Sequence, residues 1–269
     1  MTHSRTTIHD LLGAGGLAPR RDLGQNFVAD PNTVRRIATL AAVGPGDHVV
    51  EIGAGLGSLT LALAETGAAV TAIEVDSGIV PALREVVRDL DRVRVVEGDA
   101  MKLDWGDVLG DVDDWTLVAN LPYNVATPLV CDLLDEVPAI QSMLVMVQRE
   151  VAERMAAGPG SKQFGAVSVK VAYWGEAKVV GIVPASVFVP RPNVESALVR
   201  IDRRPPPDVA PDLLFPLVRE AFGQRRKMLR KSLRARVTAD QFAAADVAPE
   251  ARPEELGLAD WCRLATVVS

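Results

Sequence analysis

Asp47-His48-Val49-Val50-Glu51-Ile52-Gly53-Ala54-Gly55-Leu56-Gly57-Ser58 leaves this chain few folds to choose from. An apolar run, read as a buried strand, ends in glycines at alternate positions. Glycines let the backbone take positive φ and come close to a ligand. Leu59 to Glu65 then has the pattern of a helix, closed by Gly67, and Ala69–Ile73 reads as a second strand. It ends at Glu74-Val75-Asp76. An acid about 20 positions beyond such glycines, at the end of the second strand, can accept from both hydroxyls of a ribose.

The same alternation continues. Ala82–Leu90 is helical, Val93–Val96 is a strand, and Glu97-Gly98-Asp99-Ala100 follows. Asp99 sits where a carboxylate can accept from an adenine amino group; it also reads as the N-cap of a helix over Ala100–Trp105. Trp115–Ala119 is a strand, Ala126–Leu134 a helix and Ser142–Val147 a fifth strand, with Gln148-Arg149-Glu150 opening another helix. The order predicts an α/β fold with a parallel, doubly wound, Rossmann-like sheet. Gly53, Gly55 and Gly57 give GxGxG rather than the dinucleotide spacing GxGxxG, because Ser58 stands where the third glycine would be. S-adenosylmethionine lacks the pyrophosphate that NAD places on a helix N-terminus. The spacing therefore favours S-adenosylmethionine. A nicotinamide dehydrogenase also needs a hydride-relay His or Tyr/Lys set, which this sequence does not show.

Asn120-Leu121-Pro122-Tyr123 ends the fourth strand, where Pro122 forces a turn. Ligands bind at the carboxyl edge of such sheets. An exocyclic amine on a nucleobase is a weak nucleophile, its lone pair being drawn into the ring. The Asn120 side-chain oxygen and the Leu121 C=O can accept its two hydrogens and draw the nitrogen toward a tetrahedral shape. Tyr123 can stack on the base, as in enzymes that act on extruded bases.

Met1 to Ala18 is polar and aperiodic, read as a mobile tail with at most a short helix near Ile8–Leu12. Arg20 and Arg21 offer phosphate contacts, and Gln25 and Asn26 a loop that closes over a ligand. Gly158 to Gly165 is a loop in which Lys162 can meet an RNA backbone. Val167–Trp174 is helix or strand. Val179–Val183 and Ser196–Ile201 read as strands around a Pro-rich connection. Phe188, inside that connection, is a candidate second stacking face.

Arg203-Arg204-Pro205-Pro206-Pro207 reads as a stiff linker. The expected divisions are a tail over 1–19, a Rossmann-like domain over 20–203 and a small all-helical domain over 208–269. In the last, Leu213 to Val237 is predicted as a helix with Val218, Phe222, Leu229 and Leu233 on one face. Lys227, Arg230, Lys231 and Arg234 form a basic stripe along it, and 223–237 contains no acid. The net charge of −6 runs against the basic balance usual in nucleic-acid binders. That makes a one-sign stretch informative, and it predicts contact with a nucleic-acid backbone. The two cysteines, Cys131 and Cys262, lack metal or redox spacing, and of the three His, His3 and His9 lie in the tail, so no metal is expected. No segment has the length of a membrane span or the apolar core of a signal peptide.

Leu23-Gly24-Gln25-Asn26-Phe27, Glu51 to Gly57, Asn120 to Tyr123, Pro184–Ser196 and Phe222-Gly223-Gln224-Arg225-Arg226-Lys227 together resemble the ribosomal RNA adenine N6-dimethyltransferase family. The last two resemble its small-subunit branch. The resemblance implies a class I S-adenosylmethionine methyltransferase. The cofactor then touches Asn26, Val28, Gly53, Glu74, Asp99 and Asn120, with Gln25 and Gly55 beside them. It implies two adjacent adenosines in the 3′-terminal hairpin of 16S rRNA as substrate, each receiving two methyls on N6 during ribosome biogenesis. Asn120, Leu121, Tyr123 and Phe188 serve the chemistry. Arg20, Arg21, Lys162, Arg225, Arg226, Lys227, Arg230, Lys231 and Arg234 serve RNA binding. A cytoplasmic monomer acting on the small ribosomal subunit is expected. The family commonly has Pro at position 54, where this chain has Ala, and Arg191 and Asn193 also depart from its pattern. The alternatives are a large-subunit rRNA adenine N6-methyltransferase of the antibiotic-resistance type and a non-catalytic ribosome-assembly factor. The basic segment Arg225–Arg236 argues against the first, and Asn120 with Tyr123 against the second.

Overall fold

The computed structural model describes residues 2–268. In chain order its elements are α1 (Arg5–Ala14), β1 (Phe27–Val28), α2 (Pro31–Ala41), β2 (His48–Ile52), α3 (Ser58–Ala64), β3 (Ala69–Glu74) and α4 (Val80–Val86). There follow β4 (Val93–Glu97), α5 (Trp105–Leu109), β5 (Trp115–Asn120), α6 (Ala126–Glu136), β6 (Ile140–Gln148), α7 (Arg149–Met155), α8 (Ala166–Trp174) and β7 (Gly175–Val183). The last are β8 (Phe188–Val189), β9 (Ser196–Arg203), α9 (Pro211–Gly223), α10 (Leu229–Ser232), α11 (Ala239–Ala244) and α12 (Leu258–Val268).

The main sheet has seven strands in the order β4-β3-β2-β5-β6-β9-β7. The pairs from β4 through to β6 are all parallel, and β9 is antiparallel to β6. The expected α/β, doubly wound architecture is what forms. Val49, Val50, Leu117 and Val118 are each 0% exposed, as central parallel strands covered on both faces must be. Strand order reverses between β2 and β5, so the chain leaves their carboxyl ends in opposite directions and opens a crevice between them. Ile52 pairs with Ala119, which sets Gly53 beside Asn120. On one face α2 and α3 bury Val34, Ile37 and Leu63 against Val118 and Leu198. Among the described residues no helix is long and apolar enough to cross a membrane.

Several expectations are corrected. The predicted mobile tail contains a docked helix. Ser4 caps α1 by accepting from the Thr7 N–H, and Ile8 and Leu12 pack against Phe27, Leu56 and Ile79. Ile8 is 0% exposed. Two apolar residues four positions apart are too short a signal to separate a docked turn of helix from a polar tail. Asp99 does not cap a helix. It accepts from the Met101 N–H in a turn, and the helix begins at Trp105, capped by Asp104.

The long C-terminal helix is also not continuous. α9 stops at Gly223, residues 224–228 form turns, and α10 is a single turn entered from extended Met228 (φ −62°, ψ 148°). Gly223 is a weak helix former at the break. Beyond it, the Leu229 and Arg230 N–H groups donate to the Ala251 and Pro249 C=O groups instead of an earlier turn. Lys227 and Arg234 therefore lie outside any helix, and the predicted i, i+3, i+4, i+7 stripe does not exist as such.

The chain forms two compact units. One takes the chain up to Ala152 with Lys178–Asp202; the other takes Glu153–Ala177 with the chain from Arg203 onward. The last division falls between Asp202 and Arg203. The inclusion of 153–177 in the second unit was not predicted; the sequence reading ran the first domain unbroken from 20 to 203. The second unit has its own core, in which Phe164, Val169 and Tyr173 join Leu214, Leu229, Phe242 and Trp261. The aromatic rings of α8 account for this: Tyr173 meets Trp174 and Phe215 edge-on, at 4.8 and 5.2 Å between centroids.

Ile8→Ala removes the side chain that seats α1. Truncating a buried Ile costs about 2–5 kcal/mol. Hydrogen exchange is expected to show α1 amides protected in the parent and fast in the variant, with β2 and β5 amides unchanged.

Candidate active site

The glycine turn after β2 is built from backbone no other residue fits well. Gly53 and Gly55 have φ of +74° and +55°, and a Cβ at Gly55 would lie 3.0 Å from the Phe27 ring. The turn is held by Glu74, at the end of β3. One Glu74 oxygen accepts from the Gly55 N–H at 2.7 Å and the other from the Asp76 N–H at 2.9 Å. Burial pushes the Glu74 carboxyl up from its ordinary pKa, and the N–H groups of Asp76, Gly55 and Val75 pull the other way. Each oxygen keeps a lone pair for a further donor such as a ribose hydroxyl.

Asp76 clasps the preceding loop. Its Oδ2 accepts from Gln25 Nε2 at 2.8 Å, its Oδ1 from the Gly78 N–H at 3.0 Å, and Arg20 lies 3.8 Å away. The Gln25 side-chain oxygen accepts from the Arg20 N–H, so the loop from Arg20 to Val28 is pinned beside the glycine turn. α1 lies on the same turn. His3 Nε2 bonds the Leu56 C=O at 2.8 Å, and the His3 N–H donates to Ser58 Oγ. A carbonyl only accepts, so Nε2 carries the proton. Burial holds the His3 pKa below its usual value.

Asn120 is oriented by one contact. Its Nδ2 donates to the Asn26 C=O at 2.9 Å. Only the amide nitrogen can face a carbonyl, so Oδ1 must point the other way, as an acceptor. The next residue, Leu121, donates its N–H to the Met146 C=O, while its own C=O has no partner among the described residues. Tyr123, half-buried, shares a 2.8 Å hydrogen bond with Ser196 Oγ, which ties the tip of the ring to the start of β9. Its pKa is raised by burial, with the Ser196 bond opposing.

The structure brings Gln25, Asn26, Val28, Gly53, Gly55, Glu74, Asn120, Leu121 and Tyr123 to the wall of one cavity. Asp99 lines an adjoining cavity that shares Leu23, Gly53, Val75 and Pro122 with the first. Sequence reasoning missed three contributors. Ile8 lines the cavity from a segment read as a tail. Ser196 carried no signal beyond its place in a strand. Glu51 looked like an ordinary strand residue, although an acid inside an otherwise apolar run was visible.

Phe188 is corrected. It is 1% exposed, packed in the core with Val28 paired across from it, and presents no face to a base. An aromatic among prolines is as compatible with a core plug as with a stacking platform, and packing decides. Arg20 is held by Asp22 at 2.5 Å as well as lying near Asp76. Arg21 is exposed.

The C-terminal basic residues also differ from expectation. Arg225 pairs with Glu254 and donates to the Lys162 C=O at 2.8 Å, so it ties two segments of its own unit together. Arg230 pairs with Glu250 at 3.2 Å, and Arg236 with Glu220. The acids missing from 223–237 are supplied by neighbouring segments. Arg226, Lys227, Lys231 and Arg234 are exposed and make no ion pair among the described residues. Lys162 is exposed on its loop. Among the described residues no group of three or more His, Cys, Asp and Glu is placed to hold a metal ion.

A parallel doubly wound sheet with its glycine turn, ribose-ready Glu74 and Asn-Leu-Pro-Tyr loop at the switch point defines a class I S-adenosylmethionine-dependent methyltransferase. Residues 16–269 match the family described as ribosomal RNA adenine dimethylase, and the chain belongs to that family. It is similar to the ribosomal RNA small subunit methyltransferase A of Bifidobacterium longum, at 44% identity over 97% of this chain and 92% of that one. It is 46% identical to the protein of the same name from Thermobifida fusca, over 93% and 90% of the two chains. Among solved structures it is similar to the 23S rRNA methyltransferase ErmE, with a TM-score of 0.69 and 26% identity over 90% of this chain and 99% of that one. A dimethyladenosine transferase from Plasmodium falciparum shares the fold, with a TM-score of 0.75 and 24% identity over 87% and 94%.

Glu74→Ala removes the acceptor that fixes Gly55 and the carboxylate expected to accept from a ribose. Charge-assisted hydrogen bonds of this kind contribute roughly 1.5–3 kcal/mol. Calorimetry is expected to show S-adenosylmethionine binding weakened by about tenfold or more.

Proposed function

We propose that this protein uses S-adenosylmethionine to dimethylate N6 of two adjacent adenosines in the 3′-terminal hairpin of 16S rRNA, acting on small ribosomal particles in the cytoplasm as a monomer. The family membership and the names of its relatives support the small-subunit rRNA; the site supports the chemistry. The large-subunit alternative rests on fold likeness alone. The assembly-factor alternative leaves the orientation of Asn120 without a purpose.

The observation that carries the reading is the 2.9 Å bond from Asn120 Nδ2 to the Asn26 C=O. S-adenosylmethionine, when bound, supplies an electrophilic methyl group. Gly53, Gly55 and Glu74 would hold its nucleoside part, and Asp99, on the adjoining cavity, would be available to accept from the adenine amino group. Asn120 Oδ1 and the Leu121 C=O accept the two N6 hydrogens of the substrate base. As the nitrogen turns tetrahedral and gains positive charge, those acceptor bonds strengthen, which is differential binding of the transition state. Tyr123, held by Ser196, stacks on the ring and keeps water from it. Arg226, Lys227, Lys231 and Arg234 meet RNA phosphates, with Arg21 and Lys162 as further contacts. Arg225 and Arg230 act through their ion pairs, which shape the surface that presents the others.

The test uses labelled S-adenosylmethionine and small-subunit particles that lack the modification, followed by mapping of the labelled nucleotides. Label on two neighbouring adenosines is expected; label in large-subunit RNA, or none, sinks the reading. Asn120→Ala should lower single-turnover methylation by about 10²-fold or more, the usual cost of removing one such group, with particle binding nearly unchanged. Lys231→Ala combined with Arg234→Ala should weaken particle binding and flatten its log–log salt dependence by somewhat under one unit per charge removed. Cofactor affinity and Tm should stay with the parent's, because neither side chain is ion-paired.

A further inference from the structure

Beyond Tyr123 lies a second hollow that no step above uses. Ser196, which holds the Tyr123 hydroxyl, follows directly on Glu195, and Glu195 is part of the hollow's wall. The rest of the wall is the Pro-rich loop before β9, with Ser186, Arg191 and Asn193 exposed on it. The volume is about 470 Å³. Glu195 is neutralised by Arg149 at 3.1 Å, and the Ser186 C=O accepts from Arg5 at 2.9 Å. The side chains of Arg191, Asn193 and Ser186 have no hydrogen-bond or ion-pair partner among the described residues. The hollow therefore carries one uncompensated positive charge and two neutral hydrogen-bonding groups.

The loop that carries them is stiff. Pro184, Pro190 and Pro192 each fix φ. Phe188 on one side of Arg191 is 1% exposed and Ser196 on the other is 0% exposed, so the segment between them is pinned at both ends. Most arginines lie exposed and are simply solvated. This one stands on a fixed backbone, in a hollow within the roughly 300–1,000 Å³ range of small-ligand sites. A guanidinium matches a phosphate through two parallel N–H bonds. We propose that the hollow seats the nucleotide next to the adenosine stacked on Tyr123. Arg191 holds the phosphate that joins the two, and Ser186 and Asn193 meet the ribose hydroxyls of the neighbour. Arg191 is thus a positioning residue, which fixes the strand that carries the reacting base. This rests on the proposed RNA substrate and on Tyr123 as the stacking face.

Such a seat answers a need of two adjacent targets. While one adenosine reacts, the strand beside it must be held, or the base can leave Asn120 and Leu121 without reacting. Holding a reactant in place is worth more than the contact itself, and a misplacement of about 1 Å can cost about 10²-fold in rate. A phosphate contact elsewhere on the RNA contributes to affinity alone, and its loss disappears once the protein is in saturating excess. Loss of a seat beside the reacting base persists at saturation.

The experiment is single-turnover methylation of small-subunit particles that lack the modification, with the protein raised to saturation, for the parent, Arg191→Ala and Arg191→Lys. Arg191→Ala should react about tenfold more slowly at saturation. Its particle binding should lose about 0.7 unit of log–log salt slope, the share of one phosphate on a single strand. Arg191→Lys keeps the charge and should recover most of the rate. S-adenosylmethionine affinity and Tm should match the parent's in both, since Arg191 has no partner to lose among the described residues. The parent's rate in saturated Arg191→Ala overturns the proposal, and so does a rate in Arg191→Lys as low as in Arg191→Ala. If the parent itself leaves small-subunit RNA unmethylated, the proposed substrate fails first, and the two failures are distinct.

Discussion

The site depends on β2 and β5 lying side by side in parallel. No other arrangement of this chain sets the glycine turn next to Asn120. The pairing Ile52↔Ala119 puts the two turns at one level, so the groups proposed to hold the donor and those proposed to hold the acceptor base grow from adjacent strand ends. A slip of one residue would send Gly53 and Asn120 to opposite faces, since side chains alternate with a period of two. Register is secured by burial: Val49, Val50, Leu117 and Val118 are all fully enclosed, and a slip would move each of them away from the neighbours it packs against.

Hydrogen bonds at the turn then convert adjacency into rigidity. Glu74 spans from β3 to Gly55, Asp76 spans to Gln25, and Asn120 spans to the Asn26 carbonyl. Three polar side chains join three separate loops, and each link uses a backbone or amide group that lacks another partner there. Leaving such buried groups unpaired costs roughly 1–3 kcal/mol each. The loops are therefore far better ordered together than apart.

Much of this was legible in the sequence, for identifiable reasons. Glycines at 53, 55 and 57 and a proline at 122 act through local backbone rules, so their turns could be read directly. The same is true of the acid ending β3. What escaped was decided by tertiary packing. Phe188 was read as a platform and is a core plug; the helix from Leu213 breaks because later residues supply Pro249 and Ala251 carbonyls; and Ile8 is buried by Leu56 and Ile79, which lie far along the chain. The basic stretch looked unopposed because Glu220, Glu250 and Glu254 lie outside residues 223–237 and reach it only through the fold. Periodicity reports which face is apolar and is silent on which element covers it.

The misread Phe188 has a consequence of its own. It pairs through its backbone with Val28, and the Ala29 N–H donates to the Val187 C=O at 2.7 Å. The short β1–β8 ribbon thus splices the donor-side loop, which orients Asn120, to the Pro-rich loop before β9, whose first residue anchors Tyr123. In the proposed reading, the loops that serve the two substrates are thus joined through backbone hydrogen bonds. A displacement on either side is felt on the other, and thermodynamic reciprocity requires that whatever the first ligand does to the second, the second does equally to the first. In the proposed reaction, that makes this ribbon the place where binding of one substrate bears on binding of the other.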